Sequence, residues 1–316
     1  MDLFPDVTRL QVPTKFFFVE TYWHPFHLTV RFFDKLIQSL SKSSFPNTPA
    51  SWGFSPAPPA YITNPLISDD IYSQMESGWA KPVPAVKRIT GPKSVEFADG
   101  TTLDNIDTIV YCTGYDGKVP FLKGDLDPYP IPGEQGNMYR NMLVLHPDKA
   151  TRESLALVGH AAFPWPGFGI LEMQNIALAQ IWKGKSPLPP YEEMKKWHAD
   201  LLDYRRKLLK NNKFESTFYP AMLPTADQLH WLDQTTGADL LSHFGWSWKA
   251  WKLWWQDRDL YNMCNSGVFS PSMWRFFEGP KRKAWSGARA QIKADNEAME
   301  KGAARRKELV ESKKTI

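Results

Sequence analysis

Only two of the 316 residues are cysteine, Cys112 and Cys264. Two cysteines make no disulfide framework, so a disulfide-stapled secreted domain is excluded and a reducing compartment is the simplest setting. No apolar run approaches the ~20 residues that a bilayer-spanning helix needs. The opening stretch MDLFPDVTRL carries acids where a secretory leader needs a basic flank and an apolar core, so no secretion is expected. Metal chemistry finds no support either. The histidines at 24, 27, 146, 160, 198, 230 and 243 stand in no ligand spacing with the cysteines, and no metal site is expected. His24 and His27, around Pro25, read as surface or packing residues. No Ser/His/Asp arrangement can be placed, so no catalytic residue is assigned. A dinucleotide fingerprint is missing as well. The one G-x-G, Gly167-Phe168-Gly169, has Glu172 where the third glycine belongs, and it follows a loop rather than a strand.

What is present describes a globular α/β chain. Hydrophobic residues make up 42% and charged residues 23%, and the length allows one large domain or two ordinary ones. The net charge of +4 is unevenly placed: from Lys281 to Ile316 there are eleven Lys/Arg against five Asp/Glu. A solvated basic helix is the plain reading of that tail, with contact to an anionic surface as the sharper one; no nucleic-acid partner is expected. Half of the fourteen tryptophans lie between Trp246 and Trp285. Trp246, Trp248, Trp251, Trp254 and Trp255, with Lys249 and Lys252 among them, suit either a membrane interface or packing onto the main domain.

Along the chain, a short strand, a break at Pro25 and a helix from about Leu28 to Leu40 are predicted. The six prolines between 46 and 66 exclude a long helix and read as a crossing connector. The acidic pair Asp69-Asp70, with Ser68 nearby, is expected to cap a helix over IYSQMESG rather than to form a metal site. VKRI and SVEF around Gly91-Pro92, then Ala98-Asp99-Gly100, predict short strands joined by tight turns. Ile106–Cys112 is nearly continuous in β-branched and apolar residues, as for a strand covered on both faces of a parallel sheet. A loop-rich excursion at 116–150 leads to a second such strand, Leu155–Gly159. A helix is expected from about Ile170 to Trp182, closed by Lys183-Gly184. Met194, Trp197, Leu201, Tyr204 and Leu208 predict an amphipathic helix over 191–210, and a polar helix should begin near Gly287.

Two of these segments share one geometry. Each is a buried strand ending in a glycine, at Thr113-Gly114-Tyr115 and at Gly159. Ligands of open α/β sheets sit beyond the carboxyl ends of the strands. Gly169 precedes a helix N-terminus whose free N–H groups suit a phosphate or an electron-rich ring edge. Glu172 and Gln174 then fall in the first turn, where Gln174 could bond a heteroaromatic carbonyl. Strand-glycine endings also occur for packing alone, so cofactor contact and plain packing both stand at this point.

Asn64–Ile89, Val95–Leu122 with its C-T-G-Y in place of A-T-G-Y, Leu155–Pro189 with E-x-Q, and Ser270–Ile292 resemble four successive segments of flavin-containing monooxygenases. The resemblance covers roughly residues 60–292 and implies FAD as a tight cofactor, NADPH as hydride donor and oxygen transfer from O2 to an amine nitrogen or a thioether sulfur of a small-molecule substrate. It places Thr113, Gly114, Tyr115 and Gly169 near FAD, with Glu172 and Gln174 on the helix facing the isoalloxazine.

The family's two G-x-G-x-x-G fingerprints and its mid-chain signature, which lie upstream of the A-T-G-Y strand, are absent before Asp107. The expected fold is therefore a partial two-dinucleotide-binding-domain, Rossmann-like α/β fold. Residues 1–85 would be a remnant of the NADPH-binding domain with its connector, 86–190 the rear part of the FAD-binding domain, and 191–316 a helical, Trp-rich region. Its sheet would lack central strands and leave Ile109, Val110, Leu155 and Leu157 with exposed neighbours. A truncated monooxygenase is the first reading. A non-catalytic remnant or binding protein, membrane-associated through the tryptophans, is the second, and Baeyer–Villiger oxygenation of a ketone is the third. A cytoplasmic setting with peripheral contact to an intracellular membrane fits these readings; nothing in the sequence sets an oligomeric state.

Overall fold

A computed structural model describes residues 34–35, 37–43, 45, 47–59, 68, 70–113, 118–131, 134–161, 167–209, 223–244 and 247–314. Most of residues 1–67 lies outside this set, with the predicted strand before Pro25 and the first half of the predicted helix at 28–40; the described residues from 34 to 43 are helical. Helix α1 (Ile71–Glu76) starts at Asp70, and it is Ser68 Oγ that accepts from Ile71 N at 3.2 Å, while Asp70 accepts from Gln74 Nε2 at 2.6 Å.

Strands β1 (Val86–Gly91), β2 (Ser94–Phe97) and β3 (Thr102–Leu103) form an antiparallel meander in that order. The two turns fall at Gly91-Pro92 and at Gly100, whose φ of +85° is open to glycine at no steric cost. Alternation works as the pattern requires: Val95 and Phe97 are buried and Glu96 points outward to meet Lys87 at 2.7 Å and Arg88 at 2.6 Å.

The predicted strand Ile106–Cys112 does not form. Its start is tied to the β1–β2 turn by Ile106 N to Lys93 O at 3.0 Å and by Lys93 to Asp107 at 2.7 Å. Beyond that point no described strand lies alongside. A doubly covered strand needs a ladder on each edge, and here Ile109 is 40% and Val110 and Tyr111 each 76% exposed.

Residues 155–159 are likewise no free-standing parallel strand. They run antiparallel beside the hairpin of β4 (Met138–Tyr139) and β5 (Leu143–Val144), with Leu157 N on Met142 O at 2.7 Å and a bridge from Leu143 to Ala156. All strand pairings among the described residues are antiparallel, so the parallel sheet expected from the apolar runs is not built by them. The three residues between β4 and β5 include two at positive φ, Arg140 at +56° and Asn141 at +51°, and Met142 N closes the turn on Tyr139 O at 3.0 Å. Arg140 tolerates this because it is anchored: its guanidinium bonds Asp227 and stacks 4.7 Å from the Trp197 ring and 5.3 Å from that of Trp231.

After helix α2 (Lys149–Ser154), helix α3 (Gly167–Trp182) is the central element. One side places Met173 and Ala177 in the larger core with Leu229 and Leu232 of α5 (Thr225–Thr236), Phe269 and Trp274. The other places Leu178 and Ile181 in a second core with Tyr139, Leu143 and Met194. Its end is closed as predicted, Gly184 adopting a φ of +68° with its N–H on Ile181 O at 2.9 Å. Helix α4 (Tyr191–Leu209) follows the predicted periodicity, burying Met194 and Leu201. The larger core is completed by α6 (Leu240–Phe244), α7 (Trp248–Gln256), α8 (Arg258–Ser266) and the start of α9 (Ala288–Lys314), where Ile292 is fully buried. Asp233 of α5 accepts from Leu240 N at 2.8 Å and Leu241 N at 3.4 Å, holding α6 against α5.

Candidate functional site

Helix α3 begins three residues earlier than the sequence suggested. Gly167, Phe168 and Gly169 therefore enter the helix, and Glu172 and Gln174 stand in its second turn rather than its first. Among the described residues nothing covers the first turn: a Cβ added at Gly167 would meet nothing within 4 Å, and Phe168 is 82% exposed.

The predicted residues have distinct fates. Thr113 is exposed on the unpaired segment after Cys112, and Gly114 and Tyr115 lie outside the described residues. Gly169 is buried, and a Cβ there would approach Phe269 Cε1 to 2.3 Å, so its missing side chain serves the seat of that ring. Glu172 forms an ion pair with Arg275 of the single-turn 3-10 segment Pro271–Arg275. Gln174 is fully buried; its Oε1 accepts from Gly159 N at 3.2 Å, and its Nε2 has no hydrogen-bond partner among the described residues. Thus the structure joins Gly159, Gln174 and the start of α3, and it does not join them to Thr113 through any described contact.

Around this junction stand residues that the sequence did not single out. Gly159 has a φ of +94°, and Leu171 Cδ2 lies 3.9 Å from where its Cβ would be. Val158 and Leu171, each 36% exposed, leave an apolar surface on both sides of it. His160 Nδ1 is hydrogen-bonded to Tyr129 Oη at 2.6 Å, and burial holds its imidazole below the ordinary value, which favours the neutral ring. Tyr129 comes from the loop-rich excursion, 31 residues away, and no periodicity could have marked it. Among the described residues no three His, Cys, Asp or Glu side chains group so as to hold a metal ion. Among the described residues the elements available are an unpaired amide donor, the first turn of a helix and an apolar wall. Such a set can orient a flat heteroaromatic ring and shield it from water.

The chain resembles known proteins along most of its length. The flavin-binding monooxygenase-like family matches residues 31–315. Monooxygenase aurF of Gibberella zeae is 30% identical over 284 residues, covering 83% of this chain and 50% of that protein. Dimethylaniline monooxygenase [N-oxide-forming] 2 of Pan troglodytes is 28% identical over 144 residues, and human flavin-containing monooxygenase 5 is 29% identical over 143. These stretches cover 46% and 45% of this chain and 26% of either relative. The chain thus spans half the length of the fungal relative and about a quarter of the mammalian ones in these matches. With the match running over nearly all of it, the chain belongs to the flavin-binding monooxygenase-like family, a family whose name implies a flavin cofactor and a dinucleotide-binding fold.

Proposed function

We propose that this chain forms part of an FAD- and NADPH-dependent monooxygenase that transfers one oxygen of O2 to a soft nucleophile, an amine nitrogen or a thioether sulfur. The observation that carries the reading is Gln174: its Oε1 fixes Gly159 N–H while its Nε2 is buried and unpaired among the described residues. A buried donor left without a partner costs about 1–3 kcal/mol, a cost removed when a ring carbonyl accepts from it. The first turn of α3 adds the positive end of a sixteen-residue helix. Val158, Phe168 and Leu171 add exposed apolar surface.

These residues fit the ring end of a flavin, and the G-x-G-x-x-G loop that cradles a pyrophosphate is not among them. In this reading the pyrophosphate and nicotinamide contacts come from a portion like the rest of the relatives' length. FAD, when bound, supplies the oxygen-activating redox chemistry, with NADPH as its hydride donor. The part of this chain is to orient the ring through Gln174, to set electron demand at its edge through the helix terminus, and to keep water away through Val158, Phe168 and Leu171.

The test is the visible spectrum of the purified chain after incubation with FAD and desalting, followed by NADPH oxidation with an amine or a thioether. Retained flavin bands are expected, with affinity lowered about three- to tenfold in Gln174→Leu. A colourless chain overturns the flavin-ring contact assigned to these residues and favours a non-catalytic binding protein; NADPH oxidation, whose nicotinamide contacts lie outside them, is read only where flavin is retained.

A further inference from the structure

Helix α7 carries a surface that the oxygenase reading leaves unused. At 3.6 residues per turn, Trp248, Trp251 and Trp255 fall within an arc of about 60°. They are 81%, 60% and 82% exposed, whereas Ala250 on the opposite side is buried and Leu253 packs onto the larger core. Three indoles exposed to this degree make a patch on the order of 500 Å², at the upper end of what a monomer leaves in water. The helix itself is well anchored: Ser247 Oγ accepts from Ala250 N at 3.1 Å, and its packed face is held by the core. The patch is therefore a fixed feature of a rigid helix.

Its chemistry distinguishes it from the apolar surface at Ile109–Tyr111. The exposed face of α7 is aromatic and has no exposed aliphatic residue, and residues 240–256 hold two lysines and no Asp or Glu. Lys249 reaches back to Asp239, while Lys252, next to Trp248 and Trp255 on the wheel, makes no ion pair among the described residues. Arg258 continues the basic edge, its Cζ 5.0 Å from the Trp254 ring. Asp257, the first acid beyond, is neutralised by Arg289 at the start of the basic α9. Indoles with a polar N–H and an apolar body, bordered by lysine, are the side chains that settle at a bilayer interface. No helix among the described residues is long and apolar enough to cross a membrane, so the contact is with its surface.

We propose that α7 docks onto an anionic lipid surface, Trp248, Trp251 and Trp255 entering the headgroup layer and Lys252 and Arg258 meeting lipid phosphates or carboxylates. A second copy of this chain fits less well. A twofold contact through this face would set Lys252 against its own symmetry mate with no acid nearby. At a lipid surface the same lysine extends its ammonium toward headgroups and leaves its stem among the indoles.

The experiment is co-sedimentation of the full chain with phosphatidylcholine vesicles containing about one third phosphatidylserine, with indole emission and light scattering read in parallel. Expected are binding, a blue shift of emission and weakening with salt. Trp248→Ser/Trp251→Ser/Trp255→Ser should bind at least about tenfold more weakly with the helical circular dichroism retained, because the three side chains are mostly in water and the ring contacts of Trp251 and Trp255 are with Trp254 rather than the core. Lys252→Ala should weaken binding about fivefold, and its single exposed site keeps the test independent of folding. Absence of vesicle binding by the parent chain overturns the proposal. So does binding that the triple variant leaves unchanged, or tryptophan-dependent self-association without binding.

Discussion

Helix α3 and the segment Ile106–Cys112 are both poor in charge, yet Met173 and Ala177 are fully buried, whereas Val110 and Tyr111 are each 76% exposed. A continuous apolar run states that burial is needed; it does not supply the partner. Helix α3 satisfies its own backbone and finds α5, Phe269 and Trp274 within the chain. A strand satisfies nothing alone, and 106–112 finds no described neighbour after its tie to Lys93. This contrast separates the two halves of the expected site, since Gly159 and Gln174 are fixed by packing and Thr113 is not.

The contrast is sharpest in two truncations. Met173→Ala should destabilise the chain by about 2–5 kcal/mol, through lost burial and the cavity left between the helices. Val110→Ala should change stability by less than about 0.5 kcal/mol, as for a surface position. Denaturant unfolding measures both. Equal effects would mean that 106–112 is covered in solution and would break the comparison. Next comes Gly169→Val, expected to cost about 1–3 kcal/mol, because Phe269 Cε1 occupies the space where a Cβ would stand. Phe269→Leu in the same chain should recover part of that loss, a non-additivity that assigns the glycine to packing rather than to a ligand.

Asp233 offers a pH-dependent version of the same test. Burial pushes its carboxyl up to about 6, against the lowering effect of the Leu240 and Leu241 N–H groups. A folded value above the unfolded one means that the folded state binds more protons between about pH 4 and 6. The contribution of Asp233 is therefore full below pH 4 and is lost as pH rises through 6. Asp233→Asn should remove that trend, so the stability difference between parent and variant should shift against the parent from pH 4 to pH 6. A difference that stays flat would place this carboxyl in contact with water.

What could be read in the sequence divides along the same line. The alternation of Val95 and Phe97, the 3.6-residue period from Met194 to Leu201, the Gly100 turn and the Lys183-Gly184 end were legible because each depends on residues a few positions apart. The unpaired state of 106–112 was not, since it depends on which strands lie alongside. Arg140 at positive φ was not either: it is held by Asp227, 87 residues away. Of the site, Gln174 was legible as a polar residue in an apolar helix, and its tie to Gly159 was not. Tyr129 beside His160 had no local signal at all.

A small effect is also expected at Glu172. Its partner, Arg275, is 103 residues away, and the side chains of the pair are 21% and 47% exposed. An ion pair this open to water contributes at most about 1 kcal/mol, because the solvent already screens both charges. Glu172→Gln should therefore lower stability by less than about 1 kcal/mol, and less still at high salt. Its informative readout is flavin retention relative to Gln174→Leu. If only Gln174→Leu weakens FAD binding, the ring contact runs through the buried side of α3, where the unpaired amide lies. If Glu172→Gln weakens it equally, the Arg275-bearing edge of the helix contributes too, and the ligand-facing surface extends from Gly159 across to the 3-10 segment. The second outcome would join two regions that packing alone keeps apart.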